Sequence, residues 1–210
     1  MSTMEDLGRQ LRCPSGTEAK QVAEQMFASN KNMILNTLHT LNIRQGQRIL
    51  ELGIGNGRHI PYLLAQTHGL SYTGLDISDA MLAEAAQQAE NLQLIKVSGR
   101  GDIPLEDGGY QRFFTVNTLY FWVDIHLQLR EIYRVMAGGG FIAIAYIEKT
   151  FGEHLPFTRS GFQFRETGEV EQTLKESGFV HIHTHAFTET VISKTGTPVE
   201  RPYFISTAKK

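Results

Sequence analysis

A single cysteine, Cys13, stands in a chain of 210 residues, so no disulfide forms within it and the fold must rest on its core, as suits a reducing compartment. Neither sign of charge dominates: 20 lysines and arginines face 22 aspartates and glutamates, a formal net charge of -2. That balance offers no broad basic surface to phosphate backbones or anionic lipids, which argues against nucleic-acid and membrane partners. Apolar runs are short as well. The longest, 141–147, falls far below the ~18 residues of a membrane span and suits a buried strand. The first ten residues lack the apolar stretch of a secretory signal. The expectation is a cytoplasmic protein of one domain over 1–210, a monomer or homodimer, long enough for its own core.

What the chain has in excess is glycine, 20 residues or about 9.5% against a usual ~7%, and the placement of these glycines follows the secondary-structure pattern. Ser15 and Glu18 have capping-box spacing, which predicts a helix with Val22, Met26 and Phe27 on its apolar face. Ile34, Leu38 and Leu41 predict a second helix after Asn30, so that 15–45 form a helical cap before a core of 46–210. Strands are then expected at 48–52, 70–75, 92–97, 113–116 and 141–147, with helices at 58–66, 79–89 (capped by Ser78) and 125–136, the last stopped by Gly138-Gly139-Gly140. Alternating strand and helix predicts a doubly wound, mostly parallel sheet. The tail departs from that rhythm: a helix at 169–177 ends at Gly178, and strands at 179–187 and 203–207 have no helix between them, only a long polar connection at 188–202. Such a pair reads as an antiparallel hairpin closing the sheet.

The strand at 48–52 runs into Glu51-Leu52-Gly53-Ile54-Gly55-Asn56-Gly57-Arg58, with a helix behind it. Alternating glycines at a strand-to-helix turn allow backbone angles closed to other residues and let a ligand approach the main chain and the helix N-terminus. Asp76 lies nineteen residues past Gly57, at the end of the second strand, where a carboxylate accepts from both hydroxyls of a ribose. A dinucleotide fingerprint requires glycine at 58, which is Arg58 here. The E-x-G-x-G-x-G loop followed by Leu75-Asp76-Ile77-Ser78 resembles the class I S-adenosylmethionine-dependent methyltransferases, from Arg48 through the terminal hairpin.

The resemblance implies a Rossmann-like seven-stranded sheet and transfer of the cofactor's methyl to a small molecule, leaving S-adenosylhomocysteine. It implies that Gly53, Gly55 and Gly57 line the methionine and ribose side, that Asp76 holds the ribose, and that Ile77 and Met81 lie against adenine. Glu51 would orient the loop or reach the amino group through water. Where relatives carry G-D-A-x-x-L-P, this chain has Ser98-Gly99-Arg100-Gly101-Asp102-Ile103-Pro104, so Gly101 and Asp102 are the candidates for the adenine contact.

The stretch Asn117-Thr118-Leu119-Tyr120-Phe121-Trp122 follows the fourth strand, in the crevice where open α/β sheets bind ligands. Asn117 is a cofactor or substrate contact, and Tyr120 and Trp122 are candidate walls of a methyl-transfer pocket, equally readable as core. Methyl transfer can proceed by alignment in a dry site, so no catalytic residue is assigned; Tyr120, Asp124, His126 and His59 are placed to be tested as bases. The segment 148–165, rich in phenylalanine and carrying His154, is expected to be a substrate-facing lid. His181, His183 and His185 would share one face of a strand, but no carboxylate stands among them and no metal is expected. Two other readings remain: an NAD-dependent oxidoreductase, and a non-catalytic protein that binds the cofactor or a partner.

Overall fold

The computed structural model describes residues 3–159, 161–192 and 196–210. Seven strands, β1 (Arg48–Leu52), β2 (Ser71–Asp76), β3 (Gln93–Lys96), β4 (Tyr110–Val116), β5 (Met136–Ile147), β6 (Val180–Ile192) and β7 (Pro198–Lys209), form one sheet in the order β3-β2-β1-β4-β5-β7-β6. The first five pair in parallel, while β7 runs antiparallel to both β5 and β6. The expected parallel sheet with a closing hairpin is therefore present. Its two central strands supply the core: Ile49 and Leu50 of β1 and Phe113 and Phe114 of β4 are fully buried, as expected for parallel strands covered on both faces.

The helices differ from the sequence reading at the N-terminus. A helix that the pattern did not predict, α1 (Met4–Arg12), precedes everything else. Thr3 begins it with a reciprocal capping box: its hydroxyl accepts from the Asp6 amide at 3.0 Å, and the Asp6 carboxylate accepts from the Thr3 amide at 2.9 Å. Thr3→Ala removes one such bond and is expected to cost the helix about 1 kcal/mol, seen as faster amide exchange at Leu7 with little change in global stability. Ser15 does not cap a helix through its side chain; residues 16–18 form a 3-10 turn that leads into α2 (Ala19–Thr40). The two helices expected on either side of Asn30 are thus one.

Four helices follow the expected positions, α3 (Ile60–Leu64), α4 (Asp79–Ala85), α5 (Ile125–Val135) and α7 (Thr167–Glu176), while α6 (Lys149–Glu153) forms within the segment expected to be a loop. Ser78 and Asp124 cap α4 and α5 by accepting from the Met81 and Leu127 amides. Gly138 to Gly140 do not stop α5. The helix ends at Val135, Met136 is already extended, and the glycines lie in β5, where residues 137–140 bulge out between the pairings Tyr110 with Met136 and Arg112 with Phe141.

Most of the polar connection expected at 188–202 is strand. Cross-strand pairs Glu189 with Arg201 and Thr190 with Glu200 extend the hairpin to Ile192 and Pro198, and the 193–195 part of that connection lies outside the described residues. At the other end of β6 a bulge between Val180 and His183 puts His181 at φ +52°, which breaks the alternation expected for His181, His183 and His185. Among the described residues no group of three or more His, Cys, Asp or Glu is arranged to hold a metal, and no helix is long and apolar enough to cross a membrane.

Candidate functional site

One cavity opens at the carboxyl ends of β1, β2 and β4, the edge at which parallel α/β sheets bind ligands. Its floor is the turn after β1. Gly53 and Gly55 have φ of +78° and +55°, left-handed conformations that a side chain disfavours. A Cβ on Gly53 would stand 2.3 Å from Thr118 Cγ2, whereas one on Gly55 would meet no protein atom within 4 Å. Gly55 thus leaves space at the cavity side of the loop, a space of the kind a ligand fills.

Asp76, at the end of β2, faces this loop. Its Oδ1 accepts from the Ser78 amide at 2.9 Å and its Oδ2 from the Gly55 amide at 3.1 Å. The carboxyl is only 6% exposed, and burial pushes its pKa up to about 6 against the pull of those amides. A buried carboxylate with two amide partners retains lone pairs for further donors, such as ribose hydroxyls.

Glu51, Gly57, Tyr120 and His154 do not line the cavity. Glu51 points into the protein, where its Oε2 accepts from the Tyr72 hydroxyl and pairs with His59 Nε2 at 2.7 Å. All three groups are buried, and burial beside Glu51 raises the Tyr72 pKa well above its usual value, which keeps the phenol a donor. The cluster braces the glycine turn from behind and leaves His59 no path to the cavity. Gly57 is a packing glycine: a Cβ there would lie 2.8 Å from Ile60 Cδ1 and 2.9 Å from Ala85 Cβ, so its absence lets α3 and α4 approach. Tyr120 is buried behind Asn117, to whose Oδ1 its hydroxyl donates. His154 is exposed, with Nδ1 2.6 Å from the Thr150 carbonyl.

Gly53, Gly55, Asp76, Ile77, Met81, Gly101, Asp102, Asn117 and Trp122 are brought together around the one cavity. Gly101 is held by Gln128 Nε2, 3.4 Å from its carbonyl, and Ser98 donates to the exposed Asp102 carboxylate. Trp122 is buried, and its Nε1 has no partner among the described residues. Asp124 and His126 are exposed, the first capping α5 and the second 3.5 Å from Glu176, and neither lines the cavity.

Several lining residues were not anticipated: Leu11, Arg12 and Pro14 from the N-terminal segment, Asn30 from α2, and Thr118 and Gln128. Ser78 Oγ fastens that segment by donating to the Pro14 carbonyl at 2.5 Å. The only sequence signal for it was the Thr3-to-Asp6 spacing with Leu7 and Leu11 one turn apart. The described residues of the 148–165 segment are packed. Phe162 and Phe164 stack at 5.9 Å, Tyr120 sits 4.9 Å from Phe164, and the 156–158 turn contacts α1. Its rings close over the Tyr120 side of the site, and Phe121 in that cluster also lines the cavity.

Residues 50–144 match a family described as methyltransferase domain. The chain is 30% identical over 151 residues to an uncharacterized methyltransferase, YdaC, of Bacillus subtilis, across 66% of this chain and 83% of that protein. It is 27% identical over 180 residues to the O-methyltransferase resE of Aspergillus sclerotiorum, across 79% of this chain and 65% of that one. Its fold superposes with a TM-score of 0.72 on phosphoethanolamine N-methyltransferase 2 of Haemonchus contortus, solved with phosphomonomethylethanolamine and S-adenosylhomocysteine, over all of this chain and 61% of that one at 17% identity.

Proposed function

Because the chain belongs to the class I S-adenosylmethionine-dependent methyltransferase family, we propose that it methylates a small organic acceptor in the cavity at the carboxyl ends of β1, β2 and β4. The observation that supports this most is Asp76, a buried carboxylate facing an open glycine turn. The cofactor supplies a methyl already activated on a sulfonium sulfur. In this reading Asp76 accepts from the ribose hydroxyls, Gly53 and Gly55 admit the ribose and methionine side, and Ile77, Met81, Gly101 and Asp102 enclose the adenine. Glu51 and Gly57 serve the same site indirectly, by bracing and packing the turn.

Asn117 and Trp122 lie on the wall nearer β5, where the acceptor is held. Tyr120 supports that wall from behind, and His154 stands outside it on the covering segment. The domain in this reading is single, 1–210, with a cap that begins at α1. The lining residues hold the acceptor, align it and exclude water, which accounts for large rate factors without covalent help from the protein.

Calorimetry with S-adenosylmethionine, S-adenosylhomocysteine and NAD is the direct test of the cofactor. The first two are expected to bind and NAD to fail, since Arg58 replaces the glycine a dinucleotide needs. Release of S-adenosylhomocysteine across an acceptor panel separates an enzyme from a protein that only binds the cofactor.

A further inference from the structure

A continuous hydrogen-bond chain links the C-terminal hairpin to the cavity. Arg201 of β7 is only 7% exposed. It donates through Nε and Nη2 to Glu189 Oε1 at 3.1 and 2.7 Å, through Nη2 to the Ser29 carbonyl at 2.8 Å, and through Nη1 to Ser29 Oγ and Asn30 Oδ1 at 3.3 and 3.2 Å. Asn117 Nδ2 donates to the same Asn30 Oδ1 at 3.0 Å. The Tyr120 hydroxyl donates to Asn117 Oδ1 and accepts from the Ile147 amide at 3.2 Å.

Both ends of this chain, a guanidinium and a backbone N–H, can only donate. That fixes every orientation between them. Asn30 must turn its oxygen to Arg201, Asn117 must turn its nitrogen to Asn30, and Tyr120 must give its proton to Asn117. What remains is two N–H bonds on Asn30, one on Asn117 and the second lone pair of Asn117 Oδ1, and among the described residues nothing accepts from Asn30 Nδ2. Both residues line the cavity. Asn117 directly follows β4 and Asp76 ends β2, with β1 between them, so the Asn117 backbone stands two strand spacings, about 10 Å, from that of Asp76.

We infer that Arg201 is a positioning residue that turns the Asn30–Asn117 wall mainly into a hydrogen-bond donor, and that the acceptor docks there through an oxygen, as a carboxylate or similar oxyanion, in preference to an ammonium. This rests on the methyltransferase reading and adds a substrate class to it. The Arg201 charge is matched by Glu189, so the preference is set by the direction of the amides and not by net charge.

The test uses the full chain saturated with S-adenosylhomocysteine, with benzoate and benzylammonium as matched probes and the side-chain amide resonances of Asn30 and Asn117 as readout. Benzoate is expected to shift both amides and to bind at least tenfold more tightly than benzylammonium. Asn30→Asp keeps an acceptor for Arg201 but replaces the free N–H bonds with an oxygen, and is expected to reverse the preference. Arg201→Lys, which cannot bridge Glu189, Ser29 and Asn30 together, is expected to erase it while the protein remains folded by circular dichroism. Tighter or equal binding of benzylammonium, or no movement of the amides with either probe, overturns the inference. So does a shift caused by S-adenosylhomocysteine but not by 5′-methylthioadenosine, since the amides would then hold the cofactor's own carboxylate. Failure of S-adenosylhomocysteine to bind at all counts instead against the underlying reading.

Discussion

Replacing Asp76 with alanine is expected to weaken S-adenosylmethionine binding about ten- to a hundredfold, because the lost contact is a charge-assisted hydrogen bond worth roughly 1.5–3 kcal/mol. Calorimetry at pH 7.5 checks this, and an unchanged affinity would mean that the ribose is held elsewhere. The same residue sets a pH dependence. Its carboxyl is pushed up to about 6 by burial, so the unliganded protein is ionised there at pH 8 and largely protonated at pH 5. If the ribose requires the anion, affinity is level above pH 7 and falls as pH drops through about 6, approaching tenfold per pH unit. Asp76→Asn should flatten that profile.

The sign for stability is the opposite. A folded-state pKa raised above the usual 3.8 means that the native protein holds this proton more tightly than the unfolded chain. The group's contribution is greatest below pH 4 and is lost as pH rises toward 6. The free protein thus tolerates a buried anion that the ligand's donors would satisfy.

Two glycines of one loop are expected to give opposite phenotypes. Gly57→Ala forces a Cβ to within 3.0 Å of the Ala85 backbone at a φ of +67°, and overpacking added to a left-handed alanine costs about 2–4 kcal/mol. For a chain of this size that lowers the melting temperature by roughly 5–15 °C, and a calorimetric scan reads it. Gly55→Ala meets no protein atom, so its stability cost is limited to about 1–2 kcal/mol of backbone preference, while the methyl enters the space assigned to the cofactor. Affinity should fall at least tenfold while the melting temperature drops by only about 2–8 °C. A Gly55→Ala protein that binds normally would move the cofactor away from this turn.

The sheet, the glycine turn and Asp76 were legible in the sequence because each follows from a short-range pattern: strand periodicity, glycine spacing, and a carboxylate at a strand end. The features that were missed depend on contacts between distant residues. The apolar spacing of Ile34, Leu38 and Leu41 started a second helix after Asn30, and asparagine is a poor helix former, yet α2 runs through that point and Asn30 is held by Arg201 and Asn117. Those contacts, 171 and 87 residues away in sequence, outweigh a propensity of a few tenths of a kcal/mol. Likewise Glu51 had a plausible role in facing the ligand, and only its enclosure by Tyr72 and His59 turns it inward. The polar 188–202 stretch lacks an apolar alternation, and the strand identity of 188–192 and 198–202 comes from cross-strand partners such as Glu189 and Arg201.

Ser78 joins two equilibria through one hydroxyl, which accepts from the Met81 amide and donates to the Pro14 carbonyl while the Ser78 amide grips Asp76. Cofactor occupancy and the seating of residues 3–18 are therefore expected to be linked, and linkage is reciprocal: whatever favours the seated segment tightens cofactor binding, and bound cofactor holds the segment down by the same factor.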